Sequence, residues 1–173
     1  AYDDMQQWVK YVSDTCGFPL VMHGLGDWCP PGGNSFRECP VALSSTAFFY
    51  NDLKTLSAIA SVLGRTDDAV LYRSKAEVVR VAFNQKWFNQ NNYGSQTANT
   101  LALAFGLCNS SSKSDVSKAI VADIEKNGFI TTGIFGLANI LNVLSENGDA
   151  EKAFWVANKT GYKSFEYMWS HYD

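Results

Sequence analysis

At 173 residues and 46% hydrophobic, the chain is long enough to bury one sizeable core and reads as one domain or a large piece of one. A formal net charge of −3 with no basic run argues against nucleic acid as a partner, and no apolar run is long enough to span a bilayer. The 14% aromatic content offers stacking faces for sugar rings, but the same rings fill cores, so composition leaves both uses open.

The first element is expected over residues 2–13, where Met5, Trp8, Val9 and Val12 fall at the spacing of one helical face. Residues 17–40, rich in Gly and Pro, form a long loop, and loops of that length are commonly functional. Val41 to Arg65 reads as a long helix with Gly64 as its stop. Thr66 is placed to cap the next helix, with Asp67 and Asp68 beside its positive dipole end. That helix is expected to turn Val70, Leu71, Ala76, Val79, Ala82 and Phe83 inward.

Residues 84–94, "NQKWFNQNNYG", read as a polar loop or hairpin tip, and Ser95 starts a buried helix, "SQTANTLALAFGLC". After the polar run "NSSSKSD", Ser112 is a candidate cap for a helix from Asp115 to Glu125. Further helices are expected in "ITTGIFGLANILNVLSENG" and "DAEKAFWVANKTG", and the chain closes with "YKSFEYMWSHYD". No strand period persists, so the class is all-α, built from helical hairpins. No fixed repeat is found, which favours an α/α toroid over a TPR-like solenoid.

The four cysteines and two sequons, at Asn109 and Asn158, favour a secreted, glycosylated protein in an oxidising setting. Cys29 and Cys39 bracket the Pro-Gly stretch and are expected to bond; nothing places Cys16 and Cys108 together. Candidate acids are Asp27, Glu38, Glu166 and Asp173, and candidate histidines are His23 and His171. Glu38 follows Arg37 and reads as ion-paired or solvated, and the acids at helix starts and on polar faces read as solvated. No zinc-like ligand spacing, serine elbow or phosphate-cradling glycine loop is present, so neither metal nor cofactor is expected. A carbohydrate or another neutral polar ligand remains the natural candidate.

In that order, "GDWCPPGG", "IASVLGRTDDAVLYRSKAEVVRVAFNQKW", "GSQTANTLALAFGL", "GFITTGIFGLANILNVLSENGDAEKAF" and "TGYKSFEYM" cover nearly the whole chain. Together they resemble the catalytic domain of bacterial and fungal α-L-rhamnosidases, glycoside hydrolase family 78. The resemblance implies part of an (α/α)6 toroid, residues 1–173 forming the C-terminal portion of one catalytic domain with no internal boundary. It also implies hydrolysis of terminal α-L-rhamnosides with inversion, with a rhamnosyl carbohydrate and the remainder of the barrel as partners.

Carried onto this sequence, the resemblance sets Trp28 against the rhamnose, with Asp27 as a neighbouring polar contact or loop anchor. Gln96 and the turn Thr131-Thr132-Gly133 become site neighbours at the inner end of the barrel, Gln96 and Thr132 as candidate substrate contacts. The family's general acid is expected upstream of the first helix and its general base beyond the "SHYD" that closes the chain. A non-catalytic carbohydrate-binding or structural protein derived from that fold is the alternative.

Overall fold

The structure is a computed structural model and describes residues 1–31 and 38–171. Among these residues the regular elements are helical, with one isolated bridge pairing Asn89 and Asn92. The chain divides into two compact units, Ala1–Gly26 with Val41–Phe88, and Asp27–Pro40 with Asn89–Asp173.

The first unit contains α1 (Tyr2–Thr15), α2 (Val41–Val62) and α3 (Thr66–Trp87). Its core is the seam of the α2–α3 hairpin. Helix α2 buries Leu43, Ala47, Leu53, Leu56 and Ala60. Helix α3 answers with Ala69, Tyr72, Ala76, Val79 and Phe83, an alternating three-four spacing that keeps one stripe facing its partner. That stripe begins at Ala69, so Val70 and Leu71, expected inward, lie on the exposed side, and Ala82 is only half-buried. From α1, Val9 and Val12 are buried, whereas Trp8 is half-exposed and donates its indole N–H to Asp52 Oδ2 at 3.1 Å.

The turn between α2 and α3 explains Gly64. Its φ of 71° lies in the left-handed region, and it lets the N–H of Arg65 reach back to the Ala60 carbonyl at 2.9 Å. Thr66 becomes the first helical residue rather than the cap, and Arg65 in the cap position offers no side-chain bond. Asp68, expected in solvent, accepts instead from Tyr2 Oη at 2.9 Å and Gln6 Nε2 at 3.3 Å.

The second unit contains α4 (Gln96–Phe105), a short 3₁₀ turn (Ser110–Ser112), α5 (Lys113–Asn127), α6 (Ile134–Glu146), α7 (Ala150–Ala157) and α8 (Phe165–His171). Helix α4 packs on both α5 and α6, and α6 on α7. Leu101, Leu107, Val116, Ile120, Ile124, Ile140 and Leu144 are fully buried at its centre. Ser95, expected as the first residue of its helix, caps α4 instead, accepting from Ala98 N at 3.2 Å, while Ser112, the expected cap, precedes α5 without a side-chain bond. The expected polar loop over 84–94 begins later than the sequence suggests, because residues 84–87 complete α3; the remainder is a hairpin tip, with Gln90 and Asn91 at φ 48° and 58° between the bridged Asn89 and Asn92.

Candidate functional site

Helices α4 and α6 begin side by side in sequence logic: neither has an acidic residue in its first turn, and α6 has no side-chain cap from its own N-cap residue, Gly133. The first amides of a helix have no intrahelical acceptor and carry partial positive charge, so acceptors must come from elsewhere. Both acceptors come from the glycine-proline segment.

Asp27 supplies the first. It has no exposed surface. Its Oδ2 accepts from Gly133 N at 2.8 Å and from the Thr97 hydroxyl, and its Oδ1 accepts from Phe135 N at 2.8 Å. The Ile134 amide between them donates to the Trp28 carbonyl at 3.0 Å. This contact explains the glycine of "TTG". A Cβ at Gly133 would stand 2.3 Å from the Trp28 carbonyl oxygen, 2.8 Å from Trp28 N and 2.7 Å from Asp27 Oδ1.

Glu38 supplies the second, a role its adjacency to Arg37 concealed. Its Oε1 accepts from Gln96 N at 3.1 Å and Thr131 Oγ1 at 2.8 Å, and its Oε2 from Thr97 N at 3.0 Å. The expected solvated or ion-paired Glu38 is thus corrected to a carboxylate on the α4 N-terminus; Arg37 itself lies outside the described residues. The signal that finds it is the absence of any acid in "SQTA".

Thr97 joins the two anchors, its N–H on Glu38 and its hydroxyl on Asp27, and Gln96 beside it ties α4 to the loop before α6. Fully buried, Gln96 donates to Asp123 Oδ2 at 2.8 Å and the Phe129 carbonyl at 3.4 Å, and accepts from Thr131 N at 3.0 Å. Asp27 and Gln96, expected as ligand contacts, therefore present no surface to a ligand; their polar atoms hold the segment in place. Thr132 is 2% exposed, and its buried hydroxyl has no partner. Trp28 stands apart from these three, with 51% of its surface exposed.

A cleft of about 470 Å³ opens next to the Trp28 segment. Cys29 and Pro31 line it, with Thr132, Leu137 of α6, and Phe129, Lys159, Tyr162, Lys163, Phe165 and Tyr167. The local sequence "TGYKSFEYM" shapes that last wall. Gly161 and Lys163 adopt left-handed φ values of 82° and 67°, and Ser164 Oγ caps α8 by accepting from Tyr167 N at 3.0 Å. Rings, aliphatic faces, a threonine and two ammonium groups suit a polar ligand that also has an apolar face.

The expected Cys29–Cys39 bond does not form in this structure, which corrects that expectation: Cys29 is exposed with φ 60°, and Cys39 is buried. Two carboxylates, rather than a covalent staple, close this segment. Cys16 and Cys108 form no disulfide either, and burial pushes the Cys108 thiol up. Asn109 and Asn158 are exposed, as are His23, Glu166 and His171, whereas Asp173 lies outside the described residues. Among the described residues no cluster of His, Cys, Asp or Glu is placed to hold a metal ion, and no helix is long and apolar enough to cross a membrane.

Helical hairpins without strands among the described residues, with carboxylates capping two helix starts from one loop, fit the α/α-toroid class. The chain belongs to the bacterial α-L-rhamnosidase six-hairpin glycosidase domain family, whose model matches residues 1–171. It is similar to two α-L-rhamnosidases of Formosa agariphila, 28% and 31% identical, each over 96% of this chain and 19% of the relative. The solved α-L-rhamnosidase from Dictyoglumus thermophilum superimposes with a TM-score of 0.91 at 32% identity, over 98% of this chain and 20% of that one. The Streptomyces avermitilis α-L-rhamnosidase complexed with L-rhamnose has the same fold, with a TM-score of 0.87 at 23% identity over 98% of this chain and 16% of that one. The chain thus spans about a fifth of the length of the relatives it matches.

Proposed function

We propose that this chain is part of a glycoside hydrolase that removes terminal α-L-rhamnose with inversion, and that its Trp28 segment faces the sugar. Water attacks the anomeric carbon opposite the aglycone, the glycosidic C–O bond breaks, and the aglycone oxygen leaves with a proton. The reading rests on one contrast: Asp27 is sealed against two amides and a hydroxyl, while the adjacent Trp28 keeps half its surface open. A carboxylate so held makes a rigid base for the indole, and a deoxyhexose offers that indole an apolar face with a methyl group. The remaining walls of the sugar site belong to the rest of the barrel. We place the protein in a secreted, oxidising setting, with Asn109 and Asn158 as glycan acceptors.

The test is hydrolysis of an aryl α-L-rhamnoside by the full-length protein. Trp28→Ala is expected to lower kcat/KM at least tenfold, about 1.4 kcal/mol, and proton NMR of the first product is expected to show β-L-rhamnose. Absence of hydrolysis, or a Trp28→Ala protein as active as the parent, overturns the assignment; initial release of the α anomer overturns inversion.

A further inference from the structure

The cleft beside the Trp28 segment carries charge of one sign. Lys159 and Lys163 line it, and among the described residues no Asp or Glu does. Both lysines are half-buried, and neither ammonium has an ion-pair partner among the described residues. Glu166, the acid on the same segment, is turned to Gly161 N at 3.1 Å.

The two ammonium groups are also held in position rather than free in solvent. Lys159 Nζ donates to the Gly128 carbonyl at 2.5 Å and lies 4.6 Å from the Trp155 ring centroid. Lys163, on a backbone with φ 67°, sets its Nζ 4.3 Å from the centre of the Phe129 ring and 5.5 Å from that of Tyr162. Ring faces stabilise an ammonium and fix its direction but leave its N–H donors unfilled. Each lysine thus offers donors to an anion, in a partly desolvated cleft where such bonds are stronger than in water. The cleft volume of about 470 Å³ admits one or two sugar rings, and its aromatic lining supplies the stacking surface they need.

We propose that this cleft binds a saccharide bearing an acidic group, a carboxylate or a sulfate ester, with Lys163 and Lys159 as its cationic partners. The inference rests on the rhamnosidase reading and deepens it: the glycosides accepted would carry an anionic sugar next to the terminal rhamnose.

The experiment is calorimetric titration of the full-length protein with two matched ligand pairs. One pair is a rhamnosyl uronate disaccharide and its methyl ester; the other is a rhamnosyl disaccharide with and without a sulfate ester. The acidic member of at least one pair is expected to bind at least tenfold tighter than its neutral partner, and that pair identifies the group. The preference is expected to shrink with added salt, to vanish in Lys163→Met with Lys159→Met, and to persist in Lys163→Arg. Equal affinity within both pairs, or a preference that survives the double methionine variant, overturns the proposal. A protein that hydrolyses an aryl α-L-rhamnoside but shows no acid preference refutes only this inference; one that neither hydrolyses nor binds any rhamnoside refutes the underlying reading.

Discussion

Replacing Asp27 by Asn changes one atom and tests whether this carboxylate holds the segment that bears Trp28. Three donors converge on its two oxygens: the Thr97 hydroxyl and Gly133 N on Oδ2, and Phe135 N on Oδ1. An amide has one oxygen. If that oxygen takes the Oδ2 position, the amide nitrogen faces the Phe135 N–H, donor against donor. The lost bond to a charged acceptor is worth roughly 1.5–3 kcal/mol, and the stranded, part-buried donor adds about 1–2 kcal/mol. The two surviving bonds also lose charge assistance. A destabilisation of about 4 kcal/mol follows, a fall in Tm of roughly 8–16 °C for a domain of this size. Hydrogen–deuterium exchange adds a local readout, because the amides of Gly133, Ile134 and Phe135 should lose protection before the α2–α3 hairpin does. Glu38→Gln, at a half-buried carboxylate, is expected to cost less, about 1–2 kcal/mol. An Asp27→Asn protein within about 0.5 kcal/mol of the parent, with unchanged exchange over residues 131–137, would refute the anchoring argument.

Gly133→Ala places a methyl group against backbone atoms of Trp28 at 2.3 and 2.8 Å, which no rotamer change relieves. It should cost about 2–4 kcal/mol by thermal unfolding; Gly64→Ala meets no atom within 4 Å but needs φ 71°, so it should cost only about 1 kcal/mol. Burial raises the Asp52 pKa, and the Trp8 N–H bond lowers it less, so the folded state holds the Asp52 proton more tightly than the unfolded chain. That contribution to stability is present in acid and lost as pH rises through the folded pKa; Asp52→Asn should therefore stabilise the protein at neutral pH, and the gain should disappear below the ordinary carboxylate range. A gain of equal size in acid would count against this. Under non-reducing, native conditions, iodoacetamide should label Cys29 quickly and reach Cys39 and Cys108 only after unfolding; a mapped Cys29–Cys39 disulfide would reverse our correction.

The helical class, most helix positions and the family were legible in the linear sequence because they depend on local signals. Gly64 stops α2 through its own backbone freedom, Ser95 caps α4 three residues away, and the asparagine-rich tip turns on its neighbours. Reading which side of α3 faces inward needed the partner helix, since Val70 and Leu71 are as apolar as Val79 and only the α2 seam chooses among them. The site was harder still. "GDW" set Trp28 against the sugar and left Asp27 as a polar contact or a loop anchor; the structure leaves Trp28 open and seals Asp27. What separates them is the pair of helix starts at residues 96 and 134, whose unpaired amides draw in Asp27 and Glu38 from a segment far away in sequence. A helix terminus declares in sequence that it lacks an acceptor. Only the tertiary fold decides which distant carboxylate meets that need, because long-range electrostatic pairing has no period and no fixed spacing along the chain.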